Sequence, residues 1–178
     1  MIKKISPEVN AIDFNNYGSI VYLIQLKDKK ILIDTSSKEN SKSLVQYLKQ
    51  LNILPKDIDL VILTHAHYDH IENVNLFSKA EIYGNFKESI NENHSRTPVI
   101  NINPIEKLNI KEFTIYKTPG HTKEDIIILY KNILFSGDVI FHDGYTGRTD
   151  FPESMPERMK DSLKLIGTLK FDILCPGH

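Results

Sequence analysis

The run Thr64-His65-Ala66-His67-Tyr68-Asp69-His70 puts three histidines and one aspartate within six positions, directly after the apolar segment Leu60 to Leu63. Such a polar cluster is poor core material, but at the end of a rigid strand it can bind metal. Neutral imidazoles suit zinc, and carboxylates suit zinc, iron or manganese. His65 and His67 share strand parity, so both can point to one side. Asp69 and His70 fall on the following turn, within reach of a second position nearby. The plain alternative, a solvated histidine-rich loop, fits this spacing after such a strand poorly.

Three further segments end an apolar strand in the same way: Gly120-His121, Gly137-Asp138 and Gly177-His178. Each alone is weak, because a lone histidine or aspartate after a strand is usually a loop residue. A glycine before the ligand lets the backbone pass closely beside a crowded site. Together with the cluster these segments bring the candidate ligands to His65, His67, Asp69, His70, His121, Asp138 and His178. That set, with one shared carboxylate, fits two divalent cations about 3.5–4 Å apart.

The elements that must position these residues alternate. Ser19 to Leu26 reads as a strand, Asp28-Lys29-Lys30 as a tight turn, and Ile31 to Ile33 as the returning strand. Ser41 to Leu51 carries Leu44, Leu48 and Leu51 at helical spacing. Leu60 to Leu63 is then a strand running into the histidines. The second half repeats this order. Ile126 to Tyr130 and Ile133 to Phe135 form a hairpin around Lys131-Asn132. Pro156 opens a helix faced by Met159, Leu163 and Ile166, and Phe171 to Cys175 is a strand ending at His178. Hairpin, aspartate, helix, strand, histidine occurs twice, which predicts two related α/β halves with sheets inside and helices outside. Between the halves, Ala80 to Tyr83 and Phe113 to Lys117 read as strands and Asn85 to Asn93 as a short helix. Thr97 to Asn103 is ambiguous.

Composition bounds the class. The 178 residues suit one domain, and 40% hydrophobic with 25% charged residues is ordinary globular usage. A net charge of -1 gives no overall pull toward nucleic acid or an anionic membrane. No segment approaches the roughly 20 apolar residues of a membrane span. The first residues have no long apolar run after their lysines, so no signal peptide is expected. The single cysteine, Cys175, cannot form an intramolecular disulfide, in keeping with an expected cytoplasmic location.

The segment THAHYDH resembles the HxHxDH signature of the metallo-β-lactamase superfamily, and ILIDTS, TPGHT, FSGDVIF and CPGH resemble its other motifs in the expected order. The resemblance spans essentially the whole chain. It implies a four-layer αβ/βα sandwich with the site at one sheet edge. By motif matching it implies that His65, His67 and His121 hold one metal, that Asp69, His70 and His178 hold the second, and that Asp138 bridges them. Asp34 matches a structural aspartate that orients a histidine. Residues 147–152, GRTDFP, are similar to a segment of glyoxalase II-like hydrolases and nearly as similar to one in persulfide dioxygenases.

The expected chemistry is hydrolysis of a thioester or related ester by a hydroxide bridging two divalent metal ions, zinc first and iron or manganese next. Asp69 and Asp138 would be catalytic and the substrate a small molecule. An iron-dependent persulfide dioxygenase is the alternative. Lactones, β-lactams and phosphodiesters remain possible substrates of the same site, and a non-enzymatic binding role is the reading from another class.

Residues 1–178 are expected to form a single domain without the helical domain that grips glutathione in glyoxalase II proper. The α-carboxylate of His178 would then sit beside the site. A second subunit in a homo-oligomer could supply further substrate contacts. His142 and Asp143 stand between a supporting role and plain loop residues. His94 reads as a surface histidine, Arg148 as a structural ion-pair partner, Tyr68 and Tyr145 as either pocket lining or packing, and Cys175 as a packing residue.

Overall fold

The structure is a computed structural model that describes residues 1–98 and 101–178. In chain order its elements are β1 (Ile2–Lys4), β2 (Val9–Ile12), β3 (Val21–Gln25), β4 (Lys30–Ile33), α1 (Ser41–Gln50), β5 (Leu60–Ile62), α2 (Tyr68–Ile71), β6 (Glu81–Gly84), β7 (Glu88–Ile90) and β8 (Arg96–Pro98). They continue with β9 (Ile102–Pro104), β10 (Phe113–Lys117), β11 (Ile126–Tyr130), β12 (Ile133–Gly137), α3 (Pro156–Thr168) and β13 (Ile173–Pro176). One sheet has the order β1-β2-β3-β4-β5-β6-β9, and a second has the order β10-β11-β12-β13.

The repeated order becomes a repeated topology. The hairpin β3–β4 leads through α1 to β5, which lies parallel to β4 with Ile31 opposite Leu60. The hairpin β11–β12 leads through α3 to β13, parallel to β12 with Ile133 opposite Ile173. Alternate strand residues face opposite sides of a sheet, and both sides here are covered. Tyr22 and Ile24 face the other sheet and pack with Ile128 and Phe135. Their neighbours Val21 and Leu23 face outward, with Leu44 and Leu48 of α1. In the second sheet Ile127 and Leu134 point the other way, to Met159 and Ile166 of α3. The layers are therefore helix, sheet, sheet and helix, as the resemblance implies.

The expected helix over Asn85 to Asn93 is instead a strand and turn. β7 pairs antiparallel with β8, placing Ile90 opposite Arg96. Tertiary burial decides this. Ile90 is fully buried, and its N–H donates to the Ala66 carbonyl at 2.7 Å, beside the histidine cluster. The side-chain oxygen of Asn91 accepts the N–H groups of Asn93 and Ser95, which closes the turn locally. Within the undecided Thr97 to Asn103 segment, the flanks belong to β8 and β9, while Val99 and Ile100 lie outside the described residues. Strands β1 and β2 are additions to the elements read from sequence. Among the described residues no helix is long and apolar enough to cross a membrane.

Candidate metal centre

The strand ends at one edge of the sandwich carry all the predicted ligands. β5 delivers Thr64 and His65, and the turn into α2 delivers His67, Asp69 and His70. The loop after β10 delivers His121, β12 leads into Asp138, and β13 leads into His178. The donor atoms converge. His67 Nδ1 lies 3.1 Å from His65 Nε2 and 2.9 Å from His121 Nε2. Beside this trio, His178 Nε2 lies 3.3 Å from Asp69 Oδ2, and His70 Nε2 lies 3.2 Å from Asp138 Oδ1. Asp138 Oδ2 is 3.6 Å from His178 Nε2 and 3.7 Å from His121 Nε2, so this carboxylate reaches both groups. The predicted ligands are thus brought together, in sets whose donor atoms lie within 4.8 Å of one another.

Each buried ring is turned by what its other nitrogen meets. His121 Nδ1 donates to the Arg148 carbonyl at 2.7 Å, and His70 Nδ1 donates to Asp34 Oδ2 at 2.8 Å. His67 Nε2 donates to Glu153 Oε1 at 2.7 Å. The Thr64 hydroxyl donates to Asp34 at 2.8 Å and lies 3.1 Å from His65 Nδ1. An outward N–H leaves the inward nitrogen with its lone pair, the form that binds a cation. Asp34 therefore orients a histidine, as its motif implies.

Electrostatics divide the ligands: burial disfavours charge on His70, but Asp138 and Asp34 outweigh it and raise this ring well above the ordinary histidine range, whereas the other shifts suit metal binding. Burial, then neighbouring His70, His67 and His121, push His65 well below the ordinary histidine range, so it is neutral. Burial and His121 lower His67, against the opposing effect of Glu153. Burial disfavours charge on Asp69, but His178 and His70 outweigh it and keep the carboxylate ionised. His70 Nε2 and Asp138 Oδ1 are buried, lie 3.2 Å apart and have no partner besides each other. With neither a proton nor a cation between them, two lone pairs would face each other there, which is costly in a protein interior. A divalent cation shared between them would satisfy both, so the donor set fits a metal.

Close backbone approach makes this crowding possible. Gly137 holds φ at 50°, and a β-carbon there would meet the Thr64 side chain at 2.8 Å. A β-carbon on Gly177 would lie 2.1 Å from Asp138 Oδ1 and 2.8 Å from His70 Cε1. The Gly177 carbonyl accepts the Ile20 N–H at 2.7 Å, and the Pro176 carbonyl accepts the Tyr22 hydroxyl at 2.7 Å. The last ligand is thus anchored to the first half of the chain. The centre opens into a cleft of about 280 Å³ walled by Tyr17, Tyr68, Glu92, His94, Arg148 and Phe151.

The remaining sequence readings divide. Arg148 makes a forked pair with Asp150 at 2.9 and 2.7 Å, and it also lies over the Phe151 ring in the cleft wall. Tyr68 lines the cleft, whereas Tyr145 is exposed, as are His142 and Asp143. Cys175 is buried, and burial pushes its thiol up to about 12, in line with packing. His94 is exposed, as read from the sequence, and in addition its Nδ1 lies 2.9 Å from Glu153 Oε1 and its ring packs on Phe151. Sequence reasoning missed Glu153 altogether. A single glutamate 86 positions from His67 has no spacing signal, and only the fold brings them together.

The comparisons agree with this architecture. The family model "Metallo-beta-lactamase superfamily" matches residues 16–109. The "Probable metallo-hydrolase MJ0888" of Methanocaldococcus jannaschii is 30% identical over 94% of this chain and 91% of its own length. A second protein of that organism, "Probable metallo-hydrolase MJ0296", is 40% identical over 61% of this chain, and that match spans half of the relative. A hydroxyacylglutathione hydrolase of Buchnera aphidicola is 36% identical over 90% of this chain and 61% of its own length. Among solved structures, TTHA1623 in a di-iron-bound form superposes with a TM-score of 0.76 at 21% identity, covering 94% of this chain and 91% of that one. Motifs, layered fold and sequence matches coincide, and the chain belongs to the metallo-beta-lactamase superfamily.

Proposed function

We propose that this chain is a metal-dependent hydrolase acting on a small thioester or related ester of the hydroxyacylglutathione type. The observation that carries this reading is the convergence of seven donor side chains, with His70 Nε2 and Asp138 Oδ1 buried and otherwise unpartnered. In this reading His65, His67 and His121 would hold one cation, and Asp69, His70 and His178 would hold a second. Asp138 would be the residue common to both, and zinc is the first choice of metal. Bound divalent cations supply Lewis acidity and a water that ionises near neutral pH.

The chain's own groups do the rest. Asp69, kept ionised by its histidine neighbours, can accept a hydrogen bond from an attacking water and aim it. The cleft beside it, with Tyr17 and Phe151 among its lining residues, is where the acyl group would enter. A thiolate leaves with little or no protonation, which favours a thioester over an amide. The likeness to a hydroxyacylglutathione hydrolase supports the same substrate class.

Elemental analysis of protein prepared without added metal, followed by a screen of S-acyl glutathione, S-acyl coenzyme A, lactone and bis-aryl phosphate substrates, tests this reading. Two equivalents of zinc with thioester turnover are expected. One equivalent of iron, with oxygen uptake on a persulfide, would replace it with the dioxygenase reading that residues 147–152 also permit.

A further inference from the structure

The carboxylate of Glu153 is almost fully buried, and one of its oxygens, Oε1, faces two imidazoles at once. His67 Nε2 lies 2.7 Å away and His94 Nδ1 2.9 Å away, while Oε2 has no partner. His67 belongs to the three-histidine cluster. His94 belongs to the turn between β7 and β8, where it holds a positive φ of 58°. A second tie fastens the same hairpin to the same half of the molecule. Arg96 in β8 donates to Glu124 Oε1 at 2.9 Å, in the loop that follows His121. At its other side, the hairpin is joined to the histidine segment through Ile90 N–H and the Ala66 carbonyl at 2.7 Å. The hairpin therefore spans the two halves across the mouth of the centre.

We propose that Glu153 is a positioning residue that keeps His67 Nδ1 turned inward, and that through His94 it couples the seating of the β7–β8 hairpin to the geometry of the three-histidine cluster. The physical reason is that a ring nitrogen donating to a fixed carboxylate fixes both the tautomer and the rotation of the ring. His67 is the middle member of the trio, the one whose Nδ1 lies near both His65 and His121. Rotation of its ring thus spoils the whole set. Because His94 shares the same oxygen, a displaced hairpin leaves Oε1 free to follow a different partner. A metal that demands His67 in place favours the seated hairpin in return, since coupling between two sites is reciprocal. This inference rests on the metal-centre reading above.

The test uses the full chain and its Glu153→Leu, Glu153→Gln and His94→Ala variants. Each is stripped with chelator and titrated with zinc by calorimetry. The metal-free and zinc-loaded forms are then compared by amide hydrogen exchange. Glu153→Leu should weaken one of two zinc sites by about 10–100-fold and leave the other near its original affinity. Glu153→Gln, which keeps an oxygen acceptor, should recover most of that loss. In the unsubstituted chain zinc should slow exchange over Glu88–Ile90 and Arg96–Pro98. In His94→Ala zinc should still bind in the same ratio, but that protection should shrink.

If the unsubstituted chain takes up no zinc or other divalent metal, the centre itself is misread and this inference falls with it. If that chain binds two equivalents and Glu153→Leu binds them equally tightly, only the positioning role is overturned. Hairpin exchange that ignores metal in the unsubstituted chain overturns the coupling alone. Should Glu153→Leu not fold, a Glu153→Gln variant with unchanged affinity, set beside a Glu153→Ala variant with the same affinity, overturns the positioning role as well.

Discussion

At the scale of single residues, the centre depends on side chains that touch no substrate. Asp34 accepts the Thr64 N–H, the Thr64 hydroxyl and His70 Nδ1, each at 2.8 Å, from a backbone position with φ of 60°. Asparagine tolerates that backbone region, so Asp34→Asn tests the carboxylate without forcing the turn. The variant should fold normally yet lose about 10–100-fold in metal affinity, measured by competition with a chelating dye. Asp125 is a different case. It is buried beside the His121 turn and accepts the Thr122 N–H at 2.7 Å and hydroxyl at 2.6 Å. Burial outweighs these bonds and pushes the carboxyl up to about 8 from its ordinary 3.8. The folded value is above the unfolded one, so the contribution to stability is full below the unfolded value and is lost as pH rises through the folded one. Metal-stripped protein should therefore lose urea resistance as pH rises across that window, and Asp125→Asn should flatten the curve. An unchanged slope in the variant would assign the effect to another group.

At the scale of elements, closeness between strand ends is the controlling quantity. Gly177→Ala must displace Asp138 or His70, because its β-carbon would lie 2.1 Å from Asp138 Oδ1. A misplacement of this size should lower kcat/KM by about 10²-fold and reduce metal content, both read on the purified variant. Gly167, in α3, has nothing within 4 Å of such a carbon. Gly167→Ala should raise stability by about 0.4–1 kcal/mol with turnover unaffected, as thermal unfolding and a rate assay can show.

The same elements explain what was legible in the sequence. β3, β4, β11 and β12 are continuous apolar runs broken by short polar turns, and α1 and α3 repeat leucine or isoleucine at helical spacing. Local pattern therefore identifies them. β7 is too short for a pattern, and it is a strand only because Ile90 is buried and bonded to Ala66. β1 and β2 likewise depend on pairing, with Ile2 opposite Ile12. The convergence of the seven donor side chains was legible because each follows a predicted strand. Glu153 was not, because its role arises from proximity to His67 and from no feature of its own segment.

At the scale of the whole molecule, the inter-sheet core and the metal centre join the same two halves. Tyr22, Ile24 and Ile33 pack against Ile128, Tyr130 and Phe135 in one apolar cluster, while the donors at the sheet edge come from both sides. A ligand that binds only the folded state stabilises it by about 2.7 kcal/mol at 100 times its dissociation constant. For a chain of this size that is a rise of about 5–11 °C in Tm. Calorimetric scans with zinc and with chelator should differ by this amount, and should show one cooperative transition in both.

The anchoring of β13 has a bearing on biosynthesis. His178 is held in place through Gly177 and Pro176 against Ile20 and Tyr22, near the opposite end of the numbering. A nascent chain can pair β3 with β4 and form the hairpin-helix-strand unit early, exposing His65, His67, Asp69 and His70 as soon as they leave the ribosome. His121, Asp138 and His178 arrive later. Early binding of a cation by the first cluster alone would be incomplete, and the full donor set closes only when the last strand docks beside β12. A divalent cation supplied during translation should therefore be retained firmly only once β13 has emerged and docked with position 178 in place.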